Sequence, residues 1–217
     1  MEWKNVAMLA VVVLGVAGPA ASQTVPSRNG DVEDAGRLRS EIVVRTFNNF
    51  GVSDDDLRAA RIDAADILNN AGIDVTWMDC WYLDTAPSDA PLACRDGLGA
   101  NEIILRLQKA KEVPGRRYVS LGFSLVGNEG LPFLATVYPD LVQSIAHSAG
   151  VDSREVLGRA IAHEIGHILL NTNGHPNTGL MRAAWSRSEL RRNVAEDWQF
   201  LDLETHVMRD AIARRGR

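Results

Sequence analysis

After its N-terminal segment, the chain contains no apolar run long enough to cross a membrane, which takes about 20 residues as a helix. That excludes a later helical span. It also has no basic block: 23 Lys and Arg are outnumbered by 28 Asp and Glu, and a formal charge of −5 is scattered along the 217 residues. A nucleic-acid partner needs clustered basic residues, so none is expected. Cysteine is scarce, with Cys80 and Cys94 alone. Their separation is too wide for the short spacing of a structural zinc knuckle. There is no internal repeat and no low-complexity block.

What is present suits one ordinary domain. Apolar residues make up 46 % of the chain, enough for a sizeable core and too many for global disorder. The N-terminus has Lys4, an unbroken apolar run from Val6 to Ala17, and small residues at Ala20, Ala21 and Ser22. This is the layout of a signal peptide over residues 1–22; the rival is an uncleaved anchor, for which the run is short. No cysteine lies at the cleavage region, so a lipoprotein anchor is not indicated. Residues 23–40 read as a polar leader, and residues 41–217 as a single domain. The expected location is secreted or periplasmic, with no stable membrane insertion after cleavage. In that setting Cys80 and Cys94 predict a disulfide, against two rivals: free buried thiols or thiolate metal ligands.

The class is α/β. EIVVRTFNNF predicts a strand over Ile42–Phe47. GVSDDDLRAARIDAADILNNAG predicts a helix capped by Ser53, with three aspartates in the first turn and an apolar stripe of Leu57, Ala60, Ala64, Ile67, Leu68 and Ala71 that ends at Gly72. IDVTWMDC is a second strand, so the three elements form a parallel βαβ unit. NEIILRLQ, YVSLGFSLVG and LPFLATVYP supply three more strands, the last two separated by GNEG. Helices follow from about Asp140 and from Asp152–Ser153, where Asp152 and Glu155 have capping-box spacing. The segment after Met181 predicts one long or two consecutive amphipathic helices, with basic residues at the favourable C-terminal end.

The chemistry lies in HEIGHILLNTNGHPNTGLM, His163 to Met181. On a helix, His163 and His167 are four apart and project from one face, so they supply two ligands to a tetrahedral metal without backbone strain. Glu164 points to the side of such a metal, where a carboxylate suits proton transfer from water. Five histidines occur in the chain, and three of them fall within thirteen positions. The bland alternative is a buried helix whose histidines satisfy carbonyls, and Ile161, Ile165, Ile168 and Leu169 show that the helix is buried. Two uncoordinated imidazoles there would still need partners. The third ligand comes from outside the helix. Asn171, Asn173 and Gly174 tolerate left-handed turns and let the chain double back to His175; a carboxylate from Glu189, Glu196 or Glu204 competes, with Glu196 the best of these.

These residues resemble the signature of the metzincin-type zinc peptidases, in matrixin-like or archaemetzincin-like form. His163, Glu164 and His167 match two helical histidines around a catalytic glutamate. His175 stands where the third histidine is sought, two positions late, and the glycine and histidine of the usual pattern are replaced by Leu170 and Asn173. The resemblance implies that Gly174 takes over the sharp turn and that Met181 is the methionine of a turn beneath the metal, with ordinary core packing as its rival. It implies a zincin-like fold: a twisted, mostly parallel sheet packed on an active-site helix over 41–175, then the methionine turn and C-terminal helices over 176–217. The implied activity is a secreted Zn2+-dependent metalloendopeptidase that cleaves a peptide or protein substrate through a zinc-activated water, with Glu164 as general base. Substrate would lie along an edge strand, LGFSLVG or FLATVYP. Alternatives are a zinc-stabilised binding module that cleaves nothing, and a gluzincin-like hydrolase that uses Glu196. Tyr138 is a candidate to stabilise the reaction intermediate, with core packing as its rival. His147 and His206 are expected at the surface or in packing, and Trp77, Trp81, Trp185 and Trp198 in core or subdomain contacts.

Overall fold

The computed structural model describes residues 40–81, 94–111, 120–126 and 133–216. The expected signal peptide and residues 23–39 of the leader lie outside the described residues, as do most of the cysteine-enclosed loop and GNEG. Ser40 already belongs to the first strand, β1 (Ser40–Asn48), which is longer than Ile42–Phe47. Pairing explains the difference: Ser40 sits opposite Ile73 at one end, and Asn48 opposite Leu107 at the other.

Helix α1 (Asp54–Asn70) begins where Ser53 accepts a hydrogen bond from the Asp56 N–H, and three aspartates face the positive end of the helix dipole. The predicted apolar stripe is the buried one. The helix stops because Gly72, at φ +77°, takes a left-handed conformation that turns the chain directly into β2 (Ile73–Cys80). Three further strands follow: β3 (Glu102–Leu107), β4 (Gly122–Leu125) and β5 (Leu134–Val137). They form a mixed five-stranded sheet in the order β2-β1-β3-β5-β4. All neighbours are parallel except β4 and β5, which pair antiparallel. The edge beside β5 is therefore LGFSLVG, and FLATVYP is interior. All four β5 residues are buried.

The helices follow the sheet. α2 (Pro139–Ala149) starts with proline at its first turn and ends at left-handed Gly150. α3 (Ser153–Leu170) is buried on nearly every side, packing on α1, α2, β4, β5 and the C-terminal helix. Gly158 permits the close crossing with α1: a Cβ there would lie 2.6 Å from the Ala60 carbonyl oxygen. Asp152 caps α3 through the Arg154 N–H, but Glu155 does not close the predicted box. Its carboxylate is taken by Arg159 at 3.0 Å and by the Asn193 amide at 3.0 Å, because α3 is packed where those partners reach it.

The segment after Met181 is two helices, α4 (Arg187–Arg192) and α5 (Asp202–Arg215), separated by a 3-10 turn at Ala195–Trp198. Asn193, left-handed at φ +49°, breaks the run, and buried Trp198 pulls the intervening chain into the core. Among the described residues, no helix is long and apolar enough to cross a membrane.

Cys80, at the end of β2, is disulfide-bonded to Cys94 across 14 positions, so the free-thiol and thiolate-ligand alternatives fall. The bond ties the end of an edge strand to the chain leading into β3. Replacing both cysteines by serine is expected to lower stability by ~3 kcal/mol from restored unfolded-state freedom. Urea unfolding of the double variant beside the wild type measures it.

Candidate metal centre

α3 ends one turn beyond His167 because Asn171 adopts φ 50°, ψ 45° and returns its N–H to the His167 carbonyl. The left-handed residue is thus Asn171 rather than Gly174, which is not among the described glycines of positive φ. Asparagine tolerates this conformation better than most side chains, so no glycine is needed at the corner. The next residue fastens the turn to the site. The Thr172 carbonyl accepts a hydrogen bond from His167 Nδ1 at 2.7 Å, and Thr172 Oγ1 accepts the Gly174 N–H at 3.0 Å. The chain then presents His175 against both helical imidazoles, with ring centroids 5.5 Å from His163 and 4.8 Å from His167.

A second turn closes beneath. Gly179, at φ +76°, precedes Leu180, whose N–H donates to the Gln199 carbonyl and whose own carbonyl accepts from His163 Nδ1 at 3.0 Å. Arg182 clamps this turn by donating to the carbonyls of Gly179 and Asp197 at 2.7 and 2.6 Å. Met181 is fully buried under α3 at Gly166, where a Cβ would meet its sulfur at 2.6 Å and the Phe200 ring at 2.6 Å. Gly166→Ala is therefore expected to push both side chains off the helix. Overpacking costs about 1–3 kcal/mol, against a helix-propensity gain of up to about 1. The expected result is a net loss of thermal stability, read by calorimetry.

Among the described residues, His163, His167 and His175 form one group able to hold a metal ion, their ligand atoms all within 4.8 Å of one another. The hydrogen bonds test whether a cation fits. Carbonyl oxygens only accept, so Nδ1 of both His163 and His167 carries the proton, and each Nε2 offers a lone pair. These two Nε2 atoms face each other at 3.0 Å. Two lone pairs so close repel unless a cation or a proton lies between them. A proton is disfavoured at His163, where burial outweighs the Leu180 hydrogen bond and holds the ring down at about 4. Burial also lowers His167. Neutral imidazoles with tautomers set by carbonyl partners are the donor set zinc takes. His175 is exposed, so the group opens towards solvent.

The competing carboxylates are engaged or placed elsewhere. Glu189 caps α4, accepting the Ser186 N–H, and Glu204 accepts the Leu201 N–H at the start of α5. Glu196 is exposed in the 3-10 turn, outside the histidine group.

Glu164 is 6 % exposed and sits between α3 and the edge strand. Burial pushes its carboxyl up to about 7, and a hydrogen bond from Ser124 opposes that rise. Gly122 and Ser124, both on the inner face of β4, approach this carboxylate, and sequence reading did not find them. Small residues at alternate positions of LGFSLVG were the available signal, but nothing local told which face of that strand looked inward. A cavity of about 810 Å³ extends from Glu164 and the three histidines past Leu121, Leu141, Ile145 and Trp185. Trp185 thus does more than fill a core: it stands edge-on to His163 with centroids 5.7 Å apart. Trp198 is buried as expected, Trp77 is half-buried, and Trp81 is exposed. Tyr138 packs near Phe123, centroids 6.3 Å apart, and lies outside the cavity lining. His147 and His206 are exposed on α2 and α5.

No family model matches the chain. No curated protein matches it either. Among solved structures it is similar to archaemetzincin from Methanopyrus kandleri, with 15 % identity over 81 % of this chain and 97 % of that one, at a TM-score of 0.49.

Proposed function

We propose that this protein is an exported zinc metalloendopeptidase of metzincin-like fold, with His163, His167 and His175 as ligands and Glu164 as general base. The observation that carries the reading is the pair of Nε2 lone pairs at 3.0 Å, each directed by a carbonyl bonded to the opposite ring nitrogen. Neither imidazole has a proton to offer the other, and a third imidazole stands beside them.

His163, His167 and His175 would hold the zinc, which when bound would supply a Lewis acid to polarise a carbonyl and acidify water. The rest is the work of side chains. Glu164, beside His163 and facing the cavity, takes a proton from the attacking water and returns it to the leaving amine, so the peptide gains one water overall. In the metal-free chain burial holds this carboxyl above the ordinary carboxylate range, the direction a proton acceptor requires. Among the described residues the outer edge of β4 has no strand partner, so an extended peptide would pair there, beside the exposed Phe123 and Leu125. Met181 packs against α3 at Gly166, the residue next to His167. The disulfide agrees with export to an oxidising compartment. The binding-module alternative leaves the buried Glu164 carboxylate without a use.

The test is zinc content and peptide hydrolysis by the purified chain, before and after removal of metal by a chelator. About one zinc per chain is expected, with hydrolysis lost on chelation and restored by zinc. A chain that takes up no zinc overturns the reading, and zinc without zinc-dependent hydrolysis favours the binding module.

A further inference from the structure

We propose that the inner face of β4 positions Glu164: Ser124 holds one carboxylate oxygen, and the missing side chain of Gly122 makes room for the other. This rests on the peptidase reading above, and makes Ser124 and Gly122 positioning residues for the proton transfer.

The geometry is specific to the carboxylate. Ser124 Oγ lies 2.7 Å from Glu164 Oε2 and 2.8 Å from the Glu164 main-chain oxygen. A hydroxyl has one proton to donate and lone pairs to accept with. When Glu164 is ionised, the Ser124 proton goes to Oε2. When Oε2 carries a proton, that proton is donated to Ser124 Oγ, whose own proton turns to the main-chain oxygen. Either way Oε2 is partnered after a mere rotation of the hydroxyl, and the carboxyl plane need not move.

Oε1 is the other half of the arrangement. A Cβ on Gly122 would lie 2.7 Å from Oε1, 2.9 Å from the Glu164 carboxyl carbon and 2.5 Å from the Thr136 carbonyl oxygen. The strand backbone therefore approaches the carboxylate as closely as only glycine permits. With Oε2 occupied by Ser124, Oε1 is left for the proton that leaves water. The alternation along the strand agrees: Gly122 and Ser124 face inward, while Phe123 and Leu125 are 38 % and 39 % exposed. The edge that would receive a peptide is thus the same strand that aims the base.

The experiment compares wild type, Ser124→Ala, Ser124→Thr and Glu164→Gln as full-length, zinc-loaded chains on one peptide substrate, with zinc content measured on each. A lost hydrogen bond to a charged group predicts that kcat of Ser124→Ala falls by about 10- to 100-fold. KM and zinc content should stay near wild type, and Ser124→Thr, which keeps the hydroxyl, should recover most of the rate. Wild-type kcat in Ser124→Ala overturns the proposal. So does a loss that appears in KM or zinc content instead, or one that threonine does not repair.

A second readout needs no activity. In metal-free, 13C-glutamate-labelled protein at one alkaline pH, the infrared carboxylate band that vanishes in Glu164→Gln should shift in Ser124→Ala and return in Ser124→Thr. An unshifted band overturns the proposal whatever the kinetics show. If the wild type hydrolyses nothing, the peptidase reading fails by itself, and the band decides whether Ser124 holds Glu164.

Discussion

Glu164→Gln is expected to keep its zinc and to lose peptide hydrolysis by about 10²–10⁴-fold, the range for removing a positioned general base. The amide is close in size and can still hydrogen-bond to Ser124, so the fold and the histidine group stay intact. It has no lone pair basic enough to take a proton from water. Steady-state kinetics with zinc analysis on the same samples reads both effects; loss of metal together with activity would point to a ligand or folding role instead. The same substitution has an opposite effect on stability in the metal-free protein. Burial raises the Glu164 carboxyl from 4.5 to about 7 in the folded chain. A raised folded pKa means stability that is present below the unfolded value and lost as pH rises through the folded one. That loss is about 3 kcal/mol above pH 7. Glutamine has no charge to bury, so metal-free Glu164→Gln should unfold at a higher temperature than wild type at pH 9, with the gap closing by pH 4. A gap independent of pH would mean that the carboxylate is not burdened by burial.

His175→Ala is expected to release the metal. His175 is exposed and lies beyond the end of α3, so its truncation leaves the core untouched and isolates the ligand effect. Loss of a directly bound ligand should weaken zinc binding by more than the 10–100-fold typical of changes to residues that only orient ligands. Competition with a chromogenic chelator measures it, and hydrolysis should fall in parallel. Glu196→Gln, in the exposed 3-10 turn, should bind zinc as wild type does. If the two variants exchange these behaviours, the gluzincin-like assignment replaces the histidine one.

How much of this was legible beforehand differs from element to element. α1 was readable from Ser53 to Gly72 because its cap, charged first turn, stripe and stop are all encoded within one helix length. The βαβ unit followed from element order, since two strands joined by one helix of that length run parallel. The capping box at Asp152–Glu155 failed for the opposite reason: Asn193 and Arg159 compete for the Glu155 carboxylate, and Asn193 is remote in sequence. The turn after α3 was foreseen with Asn171, Asn173 and Gly174 as candidates; the left-handed residue is Asn171, fixed by the hydrogen bonds to the His167 and Thr172 carbonyls, and not the Gly174 that the family pattern suggested. The long C-terminal pattern divided where buried Trp198 demanded a place in the core.

By itself the sequence determined the helix that carries His163, Glu164 and His167 and the shared face of its two histidines, because a repeat of four residues on an α-helix permits no other outcome. It determined the mixed α/β class for similar local reasons. Tertiary structure alone decided that β4 is the edge strand, that His175 rather than a downstream carboxylate stands beside the pair, and that Gly122, Ser124 and Gly166 are close-contact positions around it. Those contacts include His167 with His175, 8 positions apart, and Ser124 with Glu164, 40 apart, and they turn on side-chain volume and hydrogen-bond partners, about which sequence periodicity carries no information.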